Sequence, residues 1–103
     1  MEPLARVGSA TRALLEHLVT SQEPQWGLEL IRRTGRPSGT VYPALARLER
    51  AGWVVSSWED DDARPGPRRR SYRLTDDGAP AARRLVQQAT PTPKLRLRAQ
   101  AAR

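Results

Sequence analysis

Gly35-Arg36-Pro37-Ser38-Gly39-Thr40-Val41-Tyr42-Pro43-Ala44-Leu45-Ala46-Arg47-Leu48-Glu49-Arg50-Ala51-Gly52 decides how this chain is read. The stretch opens with turn residues, carries Val41, Leu45 and Leu48 at helical spacing, and stops at a glycine. The apolar positions predict an inward face, with Ala44 and Ala51 beside it. Ser38 is the natural N-cap, because its hydroxyl can accept a free backbone N–H of the first turn. Pro43 falls early enough to be tolerated. The outward side carries hydroxyls, an aromatic and arginines, a set suited to a nucleic-acid surface.

The preceding segments predict two more helices. Ser9 or Thr11 can cap a first helix reaching about Val19, with Val7, Ala10, Leu14 and Leu18 at helical spacing and Leu15 and Val19 widening the stripe. Pro24 ends that region. A second helix is expected from about Gln25 to Thr34, followed by Gly35 in the left-handed position after its end. Gly27 marks a place where two helices approach closely.

The segments that follow predict a hairpin. Trp53 to Trp58 is rich in strand formers. Glu59 to Pro67 is a polar loop with turn residues, and Arg68 to Leu74 is a second strand. Thr75 or Asp76 can cap a fourth, short helix ending near Ala89. The expected organisation is a flexible N-terminus at 1–8, one domain at 9–89 and a basic, Pro-containing tail at 90–103, read as disordered. The order is helix, helix, helix, strand, strand, helix. This predicts an α+β, mainly helical winged helix-turn-helix: three helices, a β-hairpin wing and a short C-terminal helix.

Composition narrows the function classes. The chain has 103 residues, a net charge of +7 and no Cys. Disulfides and thiolate metal sites are therefore excluded. No apolar run approaches the roughly 20 residues of a membrane span, and the N-terminus lacks the pattern of a signal peptide. A cytoplasmic location is the default expectation, with no membrane partner. Residues 1–67 carry 8 basic and 9 acidic side chains, whereas residues 68–103 carry 10 basic and 2 acidic. That asymmetry points to a polyanion.

No catalytic constellation is visible. His17 is the sole histidine and has neither a Cys nor a Ser arrangement to serve. No glycine loop for phosphates is found. The row Glu59 to Asp62 lacks the fixed geometry of a metal site. Trp26, Trp53 and Trp58 are expected to be packing residues. Neither an enzyme nor a cofactor is expected.

Several of these segments resemble the PadR family of bacterial transcriptional regulators. The matching residues are Gly27-Leu28-Glu29-Leu30, Ser38 to Leu45, Arg47-Leu48-Glu49, Gly52, Arg70 to Thr75 and Gly78, and the resemblance covers about residues 10–85. It implies a dimeric winged-helix repressor that binds a pseudo-palindromic operator on double-stranded DNA. It also implies a response to a small aromatic or drug-like ligand. In the family, the helix matching Ser38 to Ala51 enters the major groove and the wing matching 53–74 touches flanking DNA. The homodimer forms through the first and fourth helices. This chain departs from the family where its fourth helix is short, lacks aromatic residues and is followed by Pro91 and Pro93.

The candidate DNA-binding residues are Arg36, Ser38, Gly39, Thr40, Tyr42, Pro43, Arg47, Arg68, Arg69 and Arg70. Hydroxyls and early helix N–H groups suit phosphate oxygens. Arg36 suits a guanine edge. Because strand side chains alternate, either Arg68 and Arg70 or Arg69 alone should face the DNA. Two other readings stand beside this one: a winged-helix module that binds protein, and a non-specific nucleic-acid binder driven by the basic tail.

Overall fold

The computed structural model describes residues 1–4, 6–21, 23–59 and 69–88. Arg68, most of the acidic loop, the expected end of the fourth helix at Ala89 and the tail at 90–103 lie outside the described residues. The elements are α1 (Ser9–Thr20), β1 (Gln25–Trp26), α2 (Gly27–Thr34), α3 (Ser38–Arg50), β2 (Val54–Trp58), β3 (Arg70–Leu74) and α4 (Gly78–Gln87). The three strands form an antiparallel sheet in the order β1-β3-β2. The architecture is a winged helix-turn-helix.

The core is built from the predicted stripes. Leu14, Leu15 and Leu18 of α1 meet Leu30 of α2 and Val41, Ala44, Leu45 and Leu48 of α3. Trp53, Val54, Tyr72, Ala81 and Ala82 complete it. Each fully buried Leu or Val stabilises the fold by about 1.5–3 kcal/mol relative to exposure. The stripe on α1 is shorter than expected, since Val7 precedes the helix and is exposed.

α3 ends in a Schellman motif. Trp53 N–H donates to Leu48 O at 2.9 Å and Gly52 N–H donates to Glu49 O at 3.1 Å. Gly52 takes φ 85°, which side chains other than Gly adopt at a penalty. Leu48 and Trp53 are both core residues, so the apolar contact that accompanies this motif also ties α3 to the start of the wing.

Four local expectations are corrected. α2 starts at Gly27, because Gln25 and Trp26 pair with Tyr72 and Ser71 of β3 as a short third strand. Neither Ser9 nor Thr11 caps α1: Gly8 is the capping residue and Thr11 is buried. Ser38 is the first residue of α3 rather than its cap. Pro37 takes that place in an extended conformation, and its carbonyl accepts the N–H groups of Thr40 and Val41 at 2.9 and 3.0 Å. Of the three tryptophans only Trp53 is buried; Trp26 is 38% exposed and Trp58 is 55% exposed.

Two side chains fasten the ends. Arg12 of α1 donates to the carbonyls of Leu85, Val86 and Gln88 at 3.1, 3.0 and 2.8 Å. These are the unsatisfied acceptors at the end of α4, and the cation also suits the negative end of that helix. Thr75 Oγ1 donates to Gly52 O and accepts the Gly78 N–H, which starts α4. The N-terminal segment, expected to be flexible, is tied at Glu2. Its N–H donates to Ala51 O at 2.8 Å and its carbonyl accepts Trp53 Nε1–H at 2.6 Å.

Candidate nucleic-acid interface

α3 shows three lines of residues to solvent. Gly39, Pro43, Ala46 and Arg50 recur at i, i+4, i+7 and i+11 and are all exposed. Tyr42 and Glu49 form one flank, Thr40 and Arg47 the other. Ser38 is exposed at the start of the helix. The small residues on the central line let the helix backbone approach a groove closely. Arg50, at the end of that line, is absent from the sequence-derived candidates, although its i+11 spacing from Gly39 could have found it.

Tyr42 and Arg47 lie on opposite flanks rather than together. The Tyr42 ring lies against Gly27 at the start of α2: a Cβ on Gly27 would come 2.7 Å from Tyr42 Cε1. This is the close approach that the glycine predicts, made by a side chain. Arg47 faces α1 and the N-terminal segment. There it lines an open cavity of about 210 Å³ with Leu4, Arg6, Thr11, Ala44 and Leu48. Arg36 sits before α3 and donates to Ser9 Oγ at 3.2 Å, which places its guanidinium at the first turn of α1.

The wing arginines diverge. Arg70 turns inward to α3, where its Nη2 is 3.3 Å from Glu49 Oε1. Its Nε and Nη2 donate to Ser56 Oγ at 3.0 and 2.8 Å, and Ser56 Oγ donates to Glu49 Oε2 at 2.6 Å. The guanidinium also lies 5.4 Å from the Trp58 ring and 5.8 Å from the Tyr72 ring. This closed network braces wing to helix and neutralises Arg70 locally. Burial raises the Tyr72 phenol above its ordinary value, and the nearby Arg70 charge opposes the shift.

Arg69 turns to the other face of the sheet. Its guanidinium carbon is 3.7 Å from the centroid of the Trp26 ring. Among the described residues no carboxylate forms an ion pair with it. Trp26 directly follows Gln25 and precedes Gly27, so the stack adjoins the place where Tyr42 rests. Tyr42, the start of α2, Trp26 and Arg69 thus form one continuous edge. Trp26 and Glu49 were not legible as interface parts, because the pairing of β1 and the inward turn of Arg70 depend on tertiary structure.

The fold and this surface define a winged helix-turn-helix protein of the regulator type. Residues 14–84 match the transcriptional regulator PadR-like family, and the chain belongs to that family. It is a family of transcriptional regulators rather than of enzymes. No curated protein matches the chain significantly. Among solved structures, the PcaV transcriptional regulator from Streptomyces coelicolor, in complex with its natural ligand, is 28% identical with a TM-score of 0.66. The match covers 79% of this chain and 54% of PcaV, so the chain spans about half of that relative's length. A PadR family transcription regulator from hypervirulent Clostridium difficile is 24% identical with a TM-score of 0.66, covering 78% of this chain and 85% of that one. The S. aureus MepR–DNA complex is 20% identical with a TM-score of 0.64, covering 77% and 61%. The last two show a shared fold. Among the described residues no helix is long and apolar enough to cross a membrane.

Proposed function

We propose that the chain is a sequence-specific double-stranded DNA-binding repressor acting as a homodimer on a pseudo-palindromic operator. The observation that carries this reading is α3's exposed line of Gly39, Pro43, Ala46 and Arg50, flanked by Tyr42 and by Arg47. A helix with small residues along its outer ridge fits the major groove, while hydroxyls and arginines at its borders suit phosphates. Arg69, on the outer face of the wing, is the wing residue best placed for a phosphate. Arg70 is assigned to the brace with Glu49 instead.

Homodimerisation is assigned to α1 and α4. α4 packs mainly on α1, and Arg12 fixes it there. Val19, Leu85 and Val86 remain partly exposed on these two helices. A second copy would double the number of phosphate contacts and place a second α3 one or more turns along the duplex.

The test is a titration of duplex DNA from the region upstream of the chain's own gene, repeated over a range of salt. Tyr42→Ala and Arg69→Ala should each weaken binding while leaving the melting temperature within a few degrees. For Arg69→Ala the log–log salt slope should fall by about 0.9, the value for one phosphate. Unchanged affinity in both variants would contradict the docking surface. Uniform, salt-sensitive binding to any duplex would favour a non-specific basic binder.

A further inference from the structure

We propose that Trp26 is a positioning residue for DNA binding, holding the Arg69 guanidinium on the wing so that it meets a single DNA phosphate beside the recognition helix. The inference rests on the DNA-binding reading above and adds a residue that touches no DNA itself.

Trp26 pairs with Ser71, and Arg69 lies two residues before Ser71, just ahead of β3, where the Glu59 N–H donates to Arg69 O at 2.7 Å and continues the ladder. Alternation puts all three on one face of the sheet, and the diagonal neighbour of Trp26 is Arg69. The guanidinium carbon stands 3.7 Å above the ring centroid, the distance of a flat stack. Stacking occupies the face of a guanidinium and leaves its N–H groups free at the edge. An aromatic platform therefore orients the fork without using its donors.

The place is as informative as the pair. Arg69 immediately precedes β3, next to the segment 60–68 that lies outside the described residues. A long arginine there would otherwise sample many rotamers, and ordering one on binding opposes affinity. The indole removes much of that freedom beforehand. Trp26 also leads into Gly27, which supports the Tyr42 ring. One short segment thus sets both an α3 side chain and a wing cation. This gives a role to a tryptophan that is 38% exposed and lies outside the core cluster.

The experiment measures binding of the full chain to a labelled duplex recovered by selection from a random pool, across a salt series. It compares Trp26→Ala, Trp26→Leu, Trp26→Phe, Arg69→Ala and the double variant Trp26→Ala with Arg69→Ala. Circular dichroism melts confirm that each variant folds. Trp26→Ala and Trp26→Leu should weaken binding about threefold to tenfold, and Trp26→Phe should restore most of it. The double variant should bind no more weakly than Arg69→Ala alone, because the indole acts only through that guanidinium. Wild-type affinity in Trp26→Leu would show that bulk suffices and overturn the proposal. Losses that multiply in the double variant would overturn it equally. If the wild-type chain enriches no duplex, the DNA-binding reading itself falls, a result distinct from either.

Discussion

Tyr42 illustrates how much one residue's neighbours decide. It is 41% exposed and rests on a glycine, so its ring is held but not enclosed. Gly27→Ala would force that ring aside, since a methyl at 2.7 Å cannot be accommodated. The ring can swing into solvent, so the expected stability loss is small, about 1 kcal/mol or less. Affinity for DNA should nevertheless fall, as for Tyr42→Ala. Chemical denaturation together with a binding titration checks both halves of that expectation.

Tyr72 carries a pH signature at the same scale. Its phenol is raised by burial, so in the folded state it holds its proton above the ordinary value of 10.0. The unfolded phenol ionises first as pH rises. Stability from this group is therefore full below about pH 10 and declines as pH climbs through the raised folded value. Tyr72→Phe should lessen the decline in denaturation midpoints as pH rises above 10.0. An identical decline in both proteins would remove the phenol as its source.

At the scale of elements, α4 depends on α1. Three carbonyls at its end are satisfied by Arg12, which also lies 3.4 Å from Glu16. Arg12→Ala leaves those acceptors to solvent and removes the packing of the long side chain. The expected loss is about 1–2 kcal/mol, and Arg12→Lys should recover only part of it, because one ammonium cannot span three carbonyls. Hydrogen exchange should show the α4 amides opening first in Arg12→Ala.

The elements also show what could be read before folding. The α1 and α3 stripes and the Gly35 and Gly52 stops were legible, because they follow from helical period and left-handed backbone geometry. Gly27 marked a close approach, but the neighbour is the Tyr42 side chain rather than the backbone of a second helix. β1 was not legible: two residues carry no periodicity, and their strand character comes from pairing with β3, over forty residues away. The true caps were missed because Ser9 and Ser38 have the right chemistry one position too late, behind Gly8 and Pro37. Among the candidate contacts, alternation separated Arg69 from Arg70. Only the fold could say that Glu49 claims Arg70, or that Trp26 receives Arg69.

At the scale of the whole molecule, the net charge and the exposed ridge of α3 both suit a polyanion. The helical core is nearly neutral in sequence, while the net positive charge accumulates from residue 68 onward. Arg69 and Arg73 stand on the outer wing and Arg50 on the ridge of α3. In the proposed complex, α3 would set position and register, and the wing would add a share of the affinity. Such a division gives strong salt dependence and a sequence preference at once.

The central claim is that α3 reads sequence within a two-copy assembly. The most direct measurement is selection of bound duplexes from a random pool by the full chain at moderate salt, followed by sequencing. An inverted repeat should emerge, with half-sites about one helical turn apart, and Tyr42→Ala should blunt the enrichment. A pool that stays random while binding remains strong and salt-sensitive would contradict it.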